Sequence, residues 1–148
     1  MTDPGGPAGR QCGWHRLKEG AEEWHCPGAD QSGEEVAAWL RDHGSPGEAV
    51  VVFFKQHALC QFRLDEIKAR RGRRILLVEH GAFDAQGFSV NRLKRIILRI
   101  LKPSAPIVSA AIRGATLQYC TLVNERDLSP QEEILARRLM DKMALETP

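Results

Sequence analysis

The sequence predicts an α/β fold with a small mixed sheet, and three observations carry that prediction. Two short apolar, β-branched runs, Ala49 to Phe54 and Ile75 to Val78, are separated by a stretch whose apolar residues recur at helical spacing. Helix-capping signals stand outside them, at Ser32 and at Ser129. A chain of 148 residues, 43% of them apolar, can bury one ordinary core.

Each element follows from local chemistry. Ser32 with Glu35 three residues on has capping-box spacing, and Val36, Trp39 and Leu40 then share one helical face until Gly44 ends the helix. Ser45, Pro46 and Gly47 turn the chain into Ala49 to Phe54, whose unbroken apolar character suits a strand buried on both faces. From His57 to Arg71, the spacing of Cys60, Leu64 and Ile67 predicts a second helix, which Gly72 stops. Ile75 to Val78 is then a second buried strand, parallel to the first, and a loop runs to Gly87. Ser89 opens a third predicted helix with an apolar stripe of Val90, Leu93, Ile96, Ile97, Ile100 and Leu101. Its remaining positions hold Arg92, Lys94, Arg95, Arg99 and Lys102. Pro103 and Pro106 stop it, and Ile107 to Ile112 and Ala115 to Val123 flank Arg113 and Gly114 as strands flank a hairpin turn. Ser129, Pro130 and Glu132 open a final helix through Ile134, Leu135, Leu139, Met140 and Met143.

The predicted order over residues 32–148 is therefore helix, strand, helix, strand, helix, strand, strand, helix, in a single α/β domain. Residues 1–31 form an N-terminal extension. This order resembles the thioredoxin-like fold, whose third strand starts just after a proline, here Pro106. The resemblance is one of topology and covers about residues 32 to 145. That family's paired cysteines would open the helix after the first strand, where this chain has His57, Ala58, Leu59 and Cys60, so dithiol chemistry is not implied. Alba-like proteins and the C-terminal domain of bacterial initiation factor 3 also use two strand-helix units followed by two strands, so element order alone does not choose a function.

Charge is sorted along the chain. Residues 1–48 carry nine acidic and four basic side chains, residues 55–102 four acidic and twelve basic, and residues 103–148 six acidic and five basic. A net charge of +2 thus hides a basic middle, which suits an anionic macromolecule, either nucleic acid or an acidic protein face. The candidate anion-binding residues are Lys68, Arg70, Arg71, Arg73 and Arg74, with Arg92, Lys94, Arg95 and Arg99 from the third predicted helix. Arginine predominates among them, and its planar fork matches phosphate and carboxylate. Cations at helix C-termini and on an outer helix face also have purely structural reasons to be there. Only Phe83 and Phe88 lie near these residues, so aromatic interleaving for single-strand stacking is lacking. Glycine-rich loops of Walker or Rossmann spacing are absent. The apolar runs fall far short of the roughly 18 residues of a membrane span, and Met1 to Arg10 does not read as a secretory signal. A cytoplasmic protein without membrane contact is expected.

In a parallel sheet, ligands gather past the carboxyl ends of the strands. There the sequence offers His57 and Cys60 after the first strand, and Glu79 and His80 after the second, as candidate catalytic residues. Cys60 near a helix N-terminus, with His57 three residues away, would have its thiolate favoured, although Cys60 also fits an apolar helix face. Glu79 and His80 suit either an acid-base pair or the solvated start of a loop. Cys120 reads as a small buried hydrophobe in a strand. Upstream, Cys12, His15, His25 and Cys26 supply the ligand types of a structural zinc site, although no cofactor is the leading expectation. Adjacent His25 and Cys26 diverge, and the same residues allow a Cys12 to Cys26 disulfide or a segment docked on a partner. The leading functional expectation is a small non-enzymatic binding or regulatory module that sets its basic face on an anionic partner, nucleic acid first. Its rivals are a thiol protein acting through Cys60, and an interaction adaptor or homo-oligomer in which the acidic N-terminal region pairs with the basic middle.

Overall fold

The computed structural model describes residues 28, 30–91, 96–119 and 121–146. Their order is α1 (Gly33–His43), β1 (Ala49–Gln56), β2 (Leu59–Arg71), β3 (Arg74–Leu77), β4 (Gly81–Phe83), β5 (Ile96–Leu101), α2 (Ala105–Ile112), β6 (Thr116–Gln118), β7 (Thr121–Asn124) and α3 (Pro130–Glu146). The architecture is mixed α/β, as expected, but the order is not the expected one and the thioredoxin-like topology is not reproduced. All strand pairings among the described residues are antiparallel, so the parallel strand-helix-strand unit does not form.

Two helices arise as their caps predict. Ser32 Oγ accepts a hydrogen bond from the Glu35 N–H at 3.0 Å, and Val36, Trp39 and Leu40 are the buried face of α1. At the start of α3, Ser129 Oγ accepts from the Glu132 N–H and Glu132 Oε1 accepts from the Ser129 N–H, both at 3.1 Å, which is a reciprocal capping box.

Three predicted elements are replaced. Residues 59–71 form a strand where a helix is expected, because Cys60, Phe62 and Leu64 alternate with Gln61, Arg63 and Asp65 and lie in register against the apolar β1. Ile96–Leu101 is likewise a strand; the isoleucine-rich run suits a half-buried sheet, and it pairs with Val51 to Gln56 of β1. Residues 105–112 form a helix where a strand is expected, since Pro106 stands in the first turn, where its missing N–H costs nothing. The predicted hairpin around Arg113 and Gly114 is the end of that helix. The Ala115 N–H reaches Ala110 O at 3.0 Å and the Gly114 N–H reaches Ala111 O at 3.1 Å, the paired bonds of a Schellman cap.

The sheet has the strand order β4-β3-β2-β1-β5, with β6 adding to β2 and β7 to β6. Residues 87–90 bridge its outer strands. The Val90 N–H donates to Ala82 O and the Asp84 N–H to Phe88 O on one side, while the Ser89 N–H reaches Leu98 O and the Ile100 N–H reaches Gly87 O on the other. The sheet therefore curls. Its concave side encloses Val50, Val52, Ile67, Ile75, Phe83 and Ile100 with the apolar face of α1. Its other side packs Val51, Phe53, Cys60, Phe62 and Leu64 against Ile107 and Ala111 of α2 and Leu135 and Leu139 of α3. The alternation along β1 thus feeds two cores, which explains why it is apolar throughout. No helix among the described residues is long and apolar enough to cross a membrane.

Candidate functional site

The basic residues 68–74 meet at the tip of a hairpin. β2 and β3 are joined by Gly72 and Arg73 alone, with Arg71 directly opposite Arg74 and Arg70 opposite Ile75. Gly72 has φ +63°, the conformation that the first residue of a two-residue type II′ turn requires and that glycine adopts without strain. Ile67 and Ile75 are buried and anchor the base of the ribbon, while Lys68, Arg71, Arg73 and Arg74 are exposed. None of these four belongs to an ion pair among the described residues. Arg70 differs. Its Nη1 donates to Leu40 O at 2.8 Å and to Gly44 O at 3.4 Å, capping α1 where the helix dipole favours a cation.

The second half of the expected basic face is not assembled. Arg92, Lys94 and Arg95 lie outside the described residues. Arg99 is only 5% exposed, because in a strand its side chain turns inward instead of lying on an outer helix face. Its Nη1 donates to Gln31 O at 3.0 Å and its guanidinium lies 4.4 Å from the Phe88 ring centroid. Burial lowers its pKa, with Glu35 and Asp84 opposing the shift.

The four candidate catalytic residues fall into two places. Cys60 is completely buried in the core beside α2 and α3, and β2 gives it no helix N-terminus. His57 is exposed in the β1–β2 turn with φ +54°. Glu79 and His80 lie in the turn between β3 and β4, five residues farther along β2 as counted from Cys60 to Asp65, or about 16 Å.

At that turn the structure adds a residue that sequence reasoning missed. Asp65 is a carboxylate at 2% exposure, and it gathers the turn onto β2. Its Oδ1 accepts the Glu66 N–H at 2.7 Å, both oxygens accept the Glu79 N–H at 3.2 Å, and Oδ2 accepts the His80 N–H at 3.0 Å. Oδ2 also lies 2.6 Å from His80 Nδ1. A carboxylate that already accepts backbone N–H groups makes Nδ1 the donor, which in the neutral imidazole leaves the lone pair on Nε2. The only sequence signal was one acidic residue among alternating polar positions; its partners stand 14 and 15 residues away.

Beside this pair lies a cavity of about 410 Å³, lined by Arg63, Glu66, Glu79, His80 and Glu132 among others. Glu132 is paired twice with Arg126, at 2.9 and 2.6 Å, and those bonds first, then the Ser129 backbone, hold its pKa down to about 2 against the opposing effect of burial. Arg63 has no such partner. Its Nη2 donates to Gln61 Oε1 at 3.1 Å, and burial and the nearby Arg126 charge lower its pKa, with Glu132 opposing the shift. No group of His, Cys, Asp and Glu among the described residues is placed to hold a metal ion. Cys12, His15, His25 and Cys26, the candidate zinc ligands, lie outside the described residues, as does Cys120. No protein family matches this chain, and neither a curated protein nor a solved structure is significantly similar to it.

Proposed function

We propose that this chain is a non-enzymatic binding module that sets the β2–β3 hairpin on a polyanion, with nucleic acid the partner. One observation carries the reading: Arg71 faces Arg74 across the hairpin, with Arg73 in the turn between them. Like charges directly opposite one another destabilise a strand pair, and nothing acidic among the described residues offsets them. A phosphate backbone would. A two-stranded ribbon also has the width to enter a major groove, and its exposed arginines suit phosphate and base edges alike. Such a partner agrees with a cytoplasmic protein.

The test is a fluorescence-anisotropy titration of labelled duplex and single-stranded oligonucleotides at low salt. Replacing Arg71, Arg73 and Arg74 with Ala abolishes binding, whereas replacing exposed Arg137 and Arg138 on α3 leaves it within about threefold, since surface charges far from a contact act only through a screened field. Equal losses from both sets of changes would reduce the effect to net charge. If the hairpin instead takes an acidic protein face or a second copy of this chain, the oligonucleotides do not bind, and a salt-dependent rise in mass on sedimentation marks self-association.

A further inference from the structure

The cavity beside Asp65 and His80 coincides with a break in the sheet. On one edge β2 is paired with β1 without interruption from Leu59 to Glu66, but on the other it pairs with β6 only as far as Gln61 and with β3 only from Ile67. The direction of backbone bonding alternates along a strand. The Ile67 N–H turns toward Glu48 O, and Glu66 O and Ala58 O accept from Val78 and Tyr119 on the opposite edge. The same alternation turns the N–H and C=O of Leu64 to the open edge, and Leu64 lines the cavity. The break is bounded at both ends. It has room for about three residues of extended chain, roughly 10 Å, and not for a continuous strand passing through.

Charge at the two ends of the break is opposite. Arg63, toward β6, has a half-buried guanidinium hydrogen-bonded to Gln61, with the Glu132 carboxylate near it already paired with Arg126. Toward β3 stand the Glu79 carboxylate and the His80 ring, whose Nδ1 is committed to Asp65 and whose Nε2 is an acceptor when the ring is neutral. Glu66 adds a carboxylate, of which Oε1 accepts from Gln131 at 3.2 Å. Leu64, Leu135 and Val78 give the lining an apolar part. A volume of about 410 Å³ suits a ligand of this size.

We propose that this cavity binds a free peptide of two or three residues, laid antiparallel to β2, with its main chain bonded to Leu64, its carboxylate on Arg63 and its ammonium at Glu79 and His80. A chain end fits and a chain interior does not, because β3 and β6 close both ends of the slot. Asp65 is the positioning residue: it fixes the Glu79–His80 turn and the orientation of the imidazole. The site is separate from the hairpin tip and stands or falls independently of polyanion binding.

The test is an NMR titration of the isotope-labelled full chain with the tripeptide Ala-Leu-Ala and with its N-acetyl and C-amide forms. The free tripeptide is expected to give saturable shifts at the Leu64 amide and the His80 ring, and each cap weakens binding at least tenfold. In Arg63→Met the free acid and the amide bind equally, a result that a merely structural role for Arg63 does not produce. The capped peptides require no change to the protein, so they decide the matter even if that variant folds poorly. Absence of shifts at Leu64 and His80 at low-millimolar tripeptide, or equal binding of free and capped forms, overturns the proposal.

Discussion

Cys60 shows how a single residue's surroundings decide its chemistry. A thiolate needs water, a cation or a helix N-terminus, and Cys60 has a strand and an apolar core in which its accessible surface is zero. Alkylation of Cys60, followed by peptide mapping, is therefore expected to proceed only as fast as the fold opens, and to become rapid in denaturant. Fast modification under native conditions would revive the thiol reading. Glu132 is the opposite case, a carboxylate whose charge is used. Because Arg126 and Ser129 hold it at about 2 in the folded chain, below its ordinary 4.5, its stabilisation is complete above the ordinary value and disappears as pH falls through about 2. Glu132→Gln is expected to cost about 2 kcal/mol at neutral pH, the scale of hydrogen bonds to a charged group. Near pH 2 the same change should cost far less. Urea titrations at the two pH values measure the difference, and an equal loss at both would show that Glu132 acts through packing and not through its charge.

At the scale of elements, local signals were legible and long-range ones were not. α1 and α3 could be read because a serine cap and an acid sit three residues apart at both starts, reciprocally bonded at α3. β1 and β3 could be read because short β-branched runs between turns have few other uses. β2 could not. Cys60, Leu64 and Ile67 satisfy a helical period, Cys60, Phe62 and Leu64 satisfy a strand period, and only pairing with β1 decides between them. The register shift between Ile67 and Ala69 then interrupts the alternation that would have settled it locally. The candidate site divides in the same way. The basic tip is continuous in sequence and was visible, whereas Asp65 acquires its meaning from a turn that only the fold brings near. α2 is hidden in the sequence because Pro106 reads as a stop signal yet stands in the first turn of the helix. The end of that helix supplies a check. Gly114 has φ +60°, and a Cβ there would come within 2.4 Å of the Arg126 carbonyl oxygen. Gly114→Ala is therefore expected to lose at least about 1–2 kcal/mol, the cost of a left-handed residue alone, with a corresponding fall in Tm. An unchanged Tm would mean that this cap does not hold α2 to the segment before α3.

For the whole molecule, the curled sheet separates the jobs of its two faces and of the β2–β3 ribbon. α1 fills the concave side and α2 with α3 covers the other, so Lys68, Arg71, Arg73 and Arg74 are left exposed toward the tip of a hairpin whose base alone, at Ile67 and Ile75, serves a core. The near-neutral total charge of +2 is consistent with local and not global attraction to a polyanion. The most direct test of that claim is the salt dependence of duplex binding. Lys68, Arg71, Arg73 and Arg74, if each neutralises one phosphate, predict a slope of log K against log salt of about −3.6, and each arginine changed to Ala should reduce its magnitude by about 0.9. A slope near zero, or one unaltered by those changes, would contradict the hairpin as the binding surface.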